Sequence, residues 1–301
     1  MKTSQRIGAS SVNADVAWRM SLARQVADAY RFNARLAALT VAGSAGSGLA
    51  DRWSDLELDC YWRQAPTDRD RSDPIESVGG DLGEFWEYDP SDQEWAENYR
   101  LGALEVTISN FTVDSVGYFL DAVTVEADTD PAKHMRLAAI QRCRPLLGAE
   151  FISAWRARAK QYPDRLADVM VELALTPGVL NGWAARDALA ERGDEIAIHT
   201  LLAGIEQAVL ATLLALNRIY RPHRQAKWQR SLIAELRISP RRLAERLHSL
   251  WHTSHHQAFL HAEGLLAEIV QLAGEHTRAD VGPFRDALAE RRRPANPPPQ
   301  A

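Results

Sequence analysis

The sequence has little cysteine and no long apolar run. Its 301 residues include two cysteines, Cys60 and Cys143, so a disulfide framework is not expected and a reducing compartment is favoured. No stretch approaches the roughly 18 consecutive apolar residues of a membrane span. The segment Met1–Asn13 is polar and lacks the apolar core of a signal peptide. These absences predict a cytoplasmic protein with no membrane partner.

A strong charge of one sign is also absent. The net charge is -5, and 46% hydrophobic with 25% charged residues is typical of a soluble protein with a sizeable core. The first 125 residues carry 11 Lys and Arg against 20 Asp and Glu, whereas the remainder carries 24 against 20. This asymmetry suits a carboxylate site facing a phosphate-binding domain, and it equally suits ordinary surface scatter. Neither half is basic enough to require nucleic acid.

Two common phosphate-handling motifs are missing as well. The chain contains no Gly-x-x-x-x-Gly-Lys-[Ser/Thr] loop and no His-Arg-Asp motif. Each motif places particular groups on a triphosphate, so its absence argues against the corresponding phosphotransferases. Any phosphate chemistry in this protein must rest on other residues.

The apolar spacing changes character near residue 114. Before it, we predict a helix over about 14–35, strands over 38–42, 56–62, 86–88 and 101–113, and a loop over 64–81. After it, helical spacing continues almost to the end, punctuated by prolines. The predicted class is therefore α+β, a small mixed sheet followed by a larger helical domain. The predicted boundaries are 1–125, 126–290 and a disordered tail, 291–301.

The most informative stretch is residues 43–59, which reads GSAGSGLADRWSDLELD. Gly43 and Ser44 lead into a glycine-rich turn, and Asp55 and Glu57 then alternate in a strand-like run. Alternation puts both carboxylates on one face of a strand. Two acids beside a small-residue turn suit a divalent metal carrying a phosphate chain. Asp59 continues the same face, and we expect a peripheral or capping role for it.

A third acid stands alone in a later strand. Glu105 lies within LEVTISNFTV, a run rich in β-branched residues where an acid is unusual. If this strand pairs beside residues 56–62, Glu105 converges with Asp55 and Glu57. The chain then has three candidate catalytic and metal-binding carboxylates.

These segments resemble the nucleotidyltransferase superfamily related to DNA polymerase β. The layout looks most like bacterial nucleotidyltransferase-domain proteins with a C-terminal helical domain, and more distantly like antibiotic nucleotidyltransferases. The resemblance is specific over residues 38–113. It implies that Gly43 and Ser44 contact the triphosphate, and that Asp55, Glu57 and Glu105 hold two Mg²⁺ ions or activate the acceptor. The implied reaction moves AMP from ATP onto a hydroxyl of a small molecule, protein or RNA, releasing pyrophosphate.

Two residues depart from the usual superfamily pattern. Glu57 and Glu105 stand where aspartate is common, and each is one methylene longer. The departures motivate a second hypothesis, a weakly active or inactive nucleotide-binding relative that acts as a sensor or antitoxin-like partner. The residues leave both hypotheses open, and they do not identify the base or the acceptor.

Three further residues are candidates for nucleotide binding. Arg52 lies in the loop between the turn and the acids, where it reaches a phosphate or remains a surface arginine. Asn217 and Lys227 lie in a cluster of cations and aromatics between two predicted helices. Cations at helix ends also complement the helix dipole without any ligand. The resemblance implies a phosphate-binding lysine in the helical half, which Lys227 matches only loosely.

Histidines cluster in the helical half. His248, His252 and His256 follow i, i+4, i+8 spacing, with His255 and His261 nearby. This spacing can bind zinc, but no cysteine and only a distant acid accompany them. We expect a polar helix face and no structural zinc. The oligomeric state is open, although the apolar helix predicted over 194–219 is suited to a dimer face.

Overall fold

The computed structural model describes residues 13–224 and 227–295. It confirms the α+β class, with a mixed sheet followed by a helical region. The part of the predicted disordered tail from residue 296 lies outside the described residues. The chain divides into two compact units, Met1–Ala122 with Arg136–Gln161, and Val123–Met135 with Tyr162–Ala301. The first division lies close to residue 125, and residues 136–161 return to the first unit.

The first unit is built on a mixed sheet. Its strands are β1 (Leu36–Val41), β2 (Leu56–Trp62), β3 (Asp81–Asp89), β4 (Glu94–Leu101), β5 (Leu104–Thr112) and β6 (Arg144–Leu147). Their order across the sheet is β3-β4-β5-β2-β1-β6. The β2–β5 pair is parallel, whereas the other neighbouring pairs are antiparallel. The pairing of Leu56 with Val106 confirms that the two acid-bearing strands are neighbours.

The helices of the chain begin with α1 (Ala14–Tyr30), which Asn13 caps by accepting from the backbone N–H of Asp15. The first unit and its boundaries then contain α2 (Gly43–Ser47), α3 (Asp68–Ser77), α4 (Val113–Thr124), α5 (Pro131–Arg142) and α6 (Ala149–Ala159). The later helices are α7 (Asp164–Ala174), α8 (Arg186–Arg192), α9 (Glu195–Leu216), α10 (Gln229–Glu235), α11 (Leu243–His252), α12 (His255–His276) and α13 (Gly282–Ala289). Short 3₁₀ turns occupy Pro177–Leu180 and Trp183–Ala185.

One face of the sheet carries the apolar core of the first unit. Alternation along β2 turns Leu56, Leu58 and Cys60 towards this core, where each is fully buried. Residues of α1 such as Val26 and Tyr30 cover them. The acids of β2 consequently point to the opposite face of the sheet.

Three elements correct the predicted organisation. The predicted loop over 64–81 contains α3, because Thr67 and Asp70 form a reciprocal capping box that starts a helix. The single strand predicted over 86–88 is the hairpin β3–β4, whose polar sequence hides its pairing. Strand β6 interrupts the helical region, because residues 144–147 pair with the edge of β1.

The core of the second unit surrounds α9. Twelve residues of α9 are buried, and they pack with side chains from α7, α11 and α12. The buried residues of α9 therefore belong to the core of this unit. Among the described helices, α9 is the one long and apolar enough to cross a membrane by composition, and half of its apolar window is buried.

Candidate functional site

The predicted site residues of the first unit gather at one edge of the sheet. Strand β1 ends there and leads into Gly43, while β2 and β5 begin there, next to Asp55 and Glu105. Strand β6 also begins there, with Arg144 opposite Val41. The strands follow the order β5-β2-β1-β6, so these ends lie side by side. Three strand spacings give the row a width of about 14 Å.

Gly43 and Glu57 are brought into direct proximity. Gly43 has a φ of +54°, and a Cβ built on it would lie 2.5 Å from the Glu57 Cδ. The missing side chain therefore makes room for the carboxylate. The backbone N–H of Ala42 donates to the carbonyl of Glu57 at 2.9 Å, which fixes the turn against β2.

The glycine-serine turn is closed by its own backbone. The carbonyl of Ser44 accepts from the N–H groups of Leu49 and Ala50 at 2.8 and 3.0 Å. The hydroxyl of Ser47 also donates to it at 3.2 Å. These bonds fold residues 43–50 into a compact loop beside the acids.

The loop that carries Asp55 is tied to α1. The buried guanidinium of Arg19 donates to the carbonyl of Asp55 at 3.2 Å and to that of Ser54. Asn13 donates to the carbonyl of Ala50 at 2.6 Å. These contacts engage backbone atoms, and the half-buried Asp55 side chain directly precedes β2. The site therefore has a braced backbone beneath an acid at its edge.

Glu105 occupies the outer end of the same face. The parallel register pairs Glu57 with Thr107 and Leu56 with Val106. Continued by one residue towards the start of both strands, this register sets Glu105 beside Asp55. Because side chains alternate along a strand, Glu105 then lies on the face that carries Asp55 and Glu57. Glu105 is exposed, whereas Asp55 and Glu57 are half-buried. Across residues 13–224 and 227–295, no group of three His, Cys, Asp or Glu side chains stands close enough to form a metal cluster. This edge therefore provides a cation with two carboxylates on one face, Asp55 and Glu57, and not with a complete set of protein ligands.

A cation that the sequence did not single out lies beside the turn. Arg144 donates through Nε to the carbonyl of Gly46 at 3.1 Å. Its Nη2 comes within 3.0 Å of a Cβ built on Gly48, whose φ is +81°. This exposed guanidinium keeps further donors for an anion near the turn. The four-residue β6 that positions it gave no clear sequence signal.

Asp59 lies deeper on the acidic face than expected. It is 5% exposed, and burial raises its pKa to about 6, against the opposing effect of Arg136. Tyr61 donates its hydroxyl to Asp59 Oδ2 at 3.2 Å, and Arg136 forms an ion pair with Glu94. Burial also raises the pKa of Glu94. Along this face, exposure therefore decreases from Glu105 at the edge of the sheet to a buried polar cluster around Asp59. Residues that are distant in the sequence form this cluster.

The other three predicted nucleotide-binding residues have different surroundings. Arg52 is exposed in the loop, with its guanidinium 4.8 Å from the ring of Trp53. The Asn217 amide donates to the carbonyls of Leu213 and Ile238, and it accepts from the N–H groups of Arg237 and Ile238. These four bonds leave it no donor or acceptor for a nucleotide.

Lys227 belongs to the second unit. It is exposed and lines a cavity there.

The histidine cluster does not follow one helix face. Helix α11 ends at His252 and α12 begins at His255, so the i, i+4, i+8 spacing is interrupted. The rings of His248 and His252 stack with centroids 3.7 Å apart. His255 faces Glu195, with 3.3 Å between Nε2 and Oε2.

Comparisons with known proteins place this chain near a family model and near solved structures. A domain of unknown function, DUF4037, matches residues 132–229, about a third of the chain. The structure is similar to a nucleotidyltransferase-like protein from Exiguobacterium sibiricum 255-15, with 11% identity and a TM-score of 0.41, over 86% of this chain and 78% of that one. A likeness this distant carries no conclusion about activity. No curated protein matches the chain.

Proposed function

We propose that the chain is a magnesium-dependent nucleotidyltransferase that moves a nucleoside monophosphate, AMP from ATP, onto a hydroxyl acceptor. The observation that carries the proposal is the edge where Gly43 meets Glu57, with Asp55 on the same face. Because Gly43 has no side chain, the Glu57 carboxylate lies directly against the turn, where it would share a counter-ion with a phosphate chain bound to the turn. The acceptor is a hydroxyl on a small molecule, a protein or an RNA, in the cytoplasm.

Magnesium fits this donor set. Proteins commonly bind it through one or two carboxylates, with water and phosphate oxygens as the other ligands. Asp55 and Glu57 would hold it, and Glu105 is the third candidate. When bound, two Mg²⁺ ions would neutralise charge on the triphosphate and on the departing pyrophosphate.

The chain's own groups divide the remaining work. Gly43 and Ser44 would hold the triphosphate from one side and Arg144 from the other, because its guanidinium presents N–H donors beside the turn. Glu105 would accept the proton of the acceptor hydroxyl. That oxygen then bonds to the α-phosphorus, the bond from the α-phosphorus to the bridging oxygen breaks, and pyrophosphate leaves.

A second candidate function is nucleotide binding without turnover, as a sensor or partner protein. It is favoured by the exposure of Glu105 and by the lack of a three-acid group among the described residues. Such a protein would bind ATP and magnesium at the same edge and release no pyrophosphate.

One assay distinguishes these candidates. The chain is incubated with magnesium, each of the four nucleoside triphosphates labelled at the α-phosphate, and a panel of hydroxyl acceptors. Transfer of label with equimolar pyrophosphate, lost when a chelator is added, supports the transferase. Saturable ATP binding by calorimetry without release supports the sensor, and absence of both contradicts the two proposals.

A further inference from the structure

The helical unit has a partly open cavity that is lined by none of the residues assigned to the proposed transfer. Its volume is about 530 Å³. This lies within the roughly 300–1,000 Å³ range of small-molecule sites. The walls come from α7, α9 and α10 and from the residues that follow α9. Aliphatic side chains dominate the lining, including Met170, Leu173, Leu210, Leu214 and Leu232.

The cavity exists because α9 presents small side chains to it. Ala203, Gly204 and Ala211 all line the space. A Cβ built on Gly204 would find its nearest neighbour, the carbonyl of Val179, 4.0 Å away. The surrounding helices therefore leave room along α9 that protein side chains do not fill.

Cations without carboxylate partners stand among its lining residues. Arg221, Arg224 and Lys227 line the cavity, and none has an ion pair within the described part of the chain. Arg221 instead donates to the carbonyls of His223, at 3.0 Å, and Arg224. Three unneutralised cations give this side of the cavity a positive potential.

The single carboxylate in the lining is already engaged. Glu206 accepts from the Gln229 side chain through Oε1 and from Trp251 Nε1 through Oε2, at 2.7 Å. It therefore braces α9 against α10 and α11 instead of pairing with the three cations. The lining therefore carries three cations and one carboxylate beside an aliphatic interior, an excess of positive charge.

We propose that this cavity binds an aliphatic carboxylic acid, with its chain against the aliphatic walls and its anionic head near Arg224 and Lys227. Charge complementarity selects an anion over a cation. The lining also disfavours a nucleobase, because apart from His223 only Tyr162 among its residues supplies a ring for stacking. The inference does not rest on the proposed transfer reaction.

Calorimetry with chain-length homologues tests the proposal on the full chain. Octanoate, decanoate and dodecanoate are titrated below their micelle concentrations, with decyltrimethylammonium as the cationic match. The acids should bind saturably, about fourfold tighter for each added methylene until the cavity is full. Decyltrimethylammonium should bind at least tenfold more weakly than decanoate. Absence of saturable acid binding, or equal binding of the cation, would overturn the proposal.

Variants locate the binding. Ala211→Phe fills the cavity and should weaken decanoate at least tenfold, whereas Ala197→Phe, at an exposed position of the same helix, should leave it within twofold. The double variant Arg224→Glu with Lys227→Glu changes exposed residues, so the fold should persist while decanoate binding falls at least tenfold. Unchanged decanoate affinity in this double variant contradicts the proposal even if Ala211→Phe does not fold.

Discussion

The two units bury different chemistry. In the sheet unit, Arg71 and Glu97 form an ion pair at 2.8 Å with both side chains at most 1% exposed. In the helical unit, the buried Arg186 faces Glu263, whose side chain is 42% exposed, at 3.5 Å. Within the described residues, the carboxylates that are buried, Asp59 and Glu97, belong to the sheet unit.

This contrast suggests a different function for each unit. Buried carboxylates and ion pairs are costly and need fixed partners, which the folded sheet unit supplies to Glu97 through Arg71. The helical unit is stabilised by aliphatic packing, which tolerates a cavity when the helix beside it carries small residues. Charge chemistry is therefore expected in the first unit and binding of an apolar ligand in the second.

The largest effect on stability is expected from breaking the buried ion pair. Arg71→Met would leave Glu97 buried without its cation, with the Asn110 amide still donating to it at 2.8 Å. The expected loss is about 3–5 kcal/mol. Hydrogen exchange of β4 and β5 amides measures it within this unit. Adding Glu97→Leu should recover much of the loss, and no recovery would show that the pair is not the cause.

A cavity in the helical core should cost nearly as much. Leu213 is fully buried in α9, so Leu213→Ala is expected to destabilise this unit by about 3 kcal/mol. Leu260, 55% exposed on α12, provides the control, and Leu260→Ala should change stability by less than about 0.5 kcal/mol. Equal losses for the two variants, read from amide exchange in α9 and α12, would contradict the assigned core.

Asp59 should give the sheet unit an unusual pH dependence. Burial raises its pKa from 3.8 to about 6, so the folded chain binds this proton more tightly than the unfolded chain. Its contribution to the free energy of unfolding therefore falls as pH rises through that window, by up to about 3 kcal/mol. Asp59→Asn removes this term. Denaturant titrations should show the variant gaining stability relative to the wild type between those pH values; a constant difference would contradict the burial of the carboxyl.

The smallest effect is expected from an exposed pair of the helical unit. Arg218 Nη2 lies 2.7 Å from Asp164 Oδ1, but the Asp164 side chain is 90% exposed. Asp164→Asn should therefore cost less than about 1 kcal/mol, and less still at high salt. A loss comparable to that of Arg71→Met would remove the contrast between the units.

Local sequence patterns are sufficient to predict the strands and acids of the candidate site. The cations beside it depend on contacts between segments that are distant in the sequence. Alternation in β2 was sufficient to place Asp55 and Glu57 on one face. Arg144 and Arg136 follow long intervals of chain, and only tertiary pairing brings them to the sheet. The spacing of Thr67 and Asp70 is that of a capping box, but the polar composition of residues 64–81 favours a loop, and so the sequence does not predict the helix. Asn217 is a candidate because cations and aromatic residues surround it in the sequence, but its side-chain amide forms its hydrogen bonds with backbone groups.

The rate of pyrophosphate release from ATP by Asp55→Asn tests the proposed activity most directly. The matched control is Asp81→Asn, which makes the same change at an exposed position of β3. Loss of a metal-holding carboxylate should slow release at least about a hundredfold, equivalent to about 2.7 kcal/mol of transition-state stabilisation, while the control retains the wild-type rate. Equal rates for the wild type and both variants would contradict catalysis at this edge of the sheet.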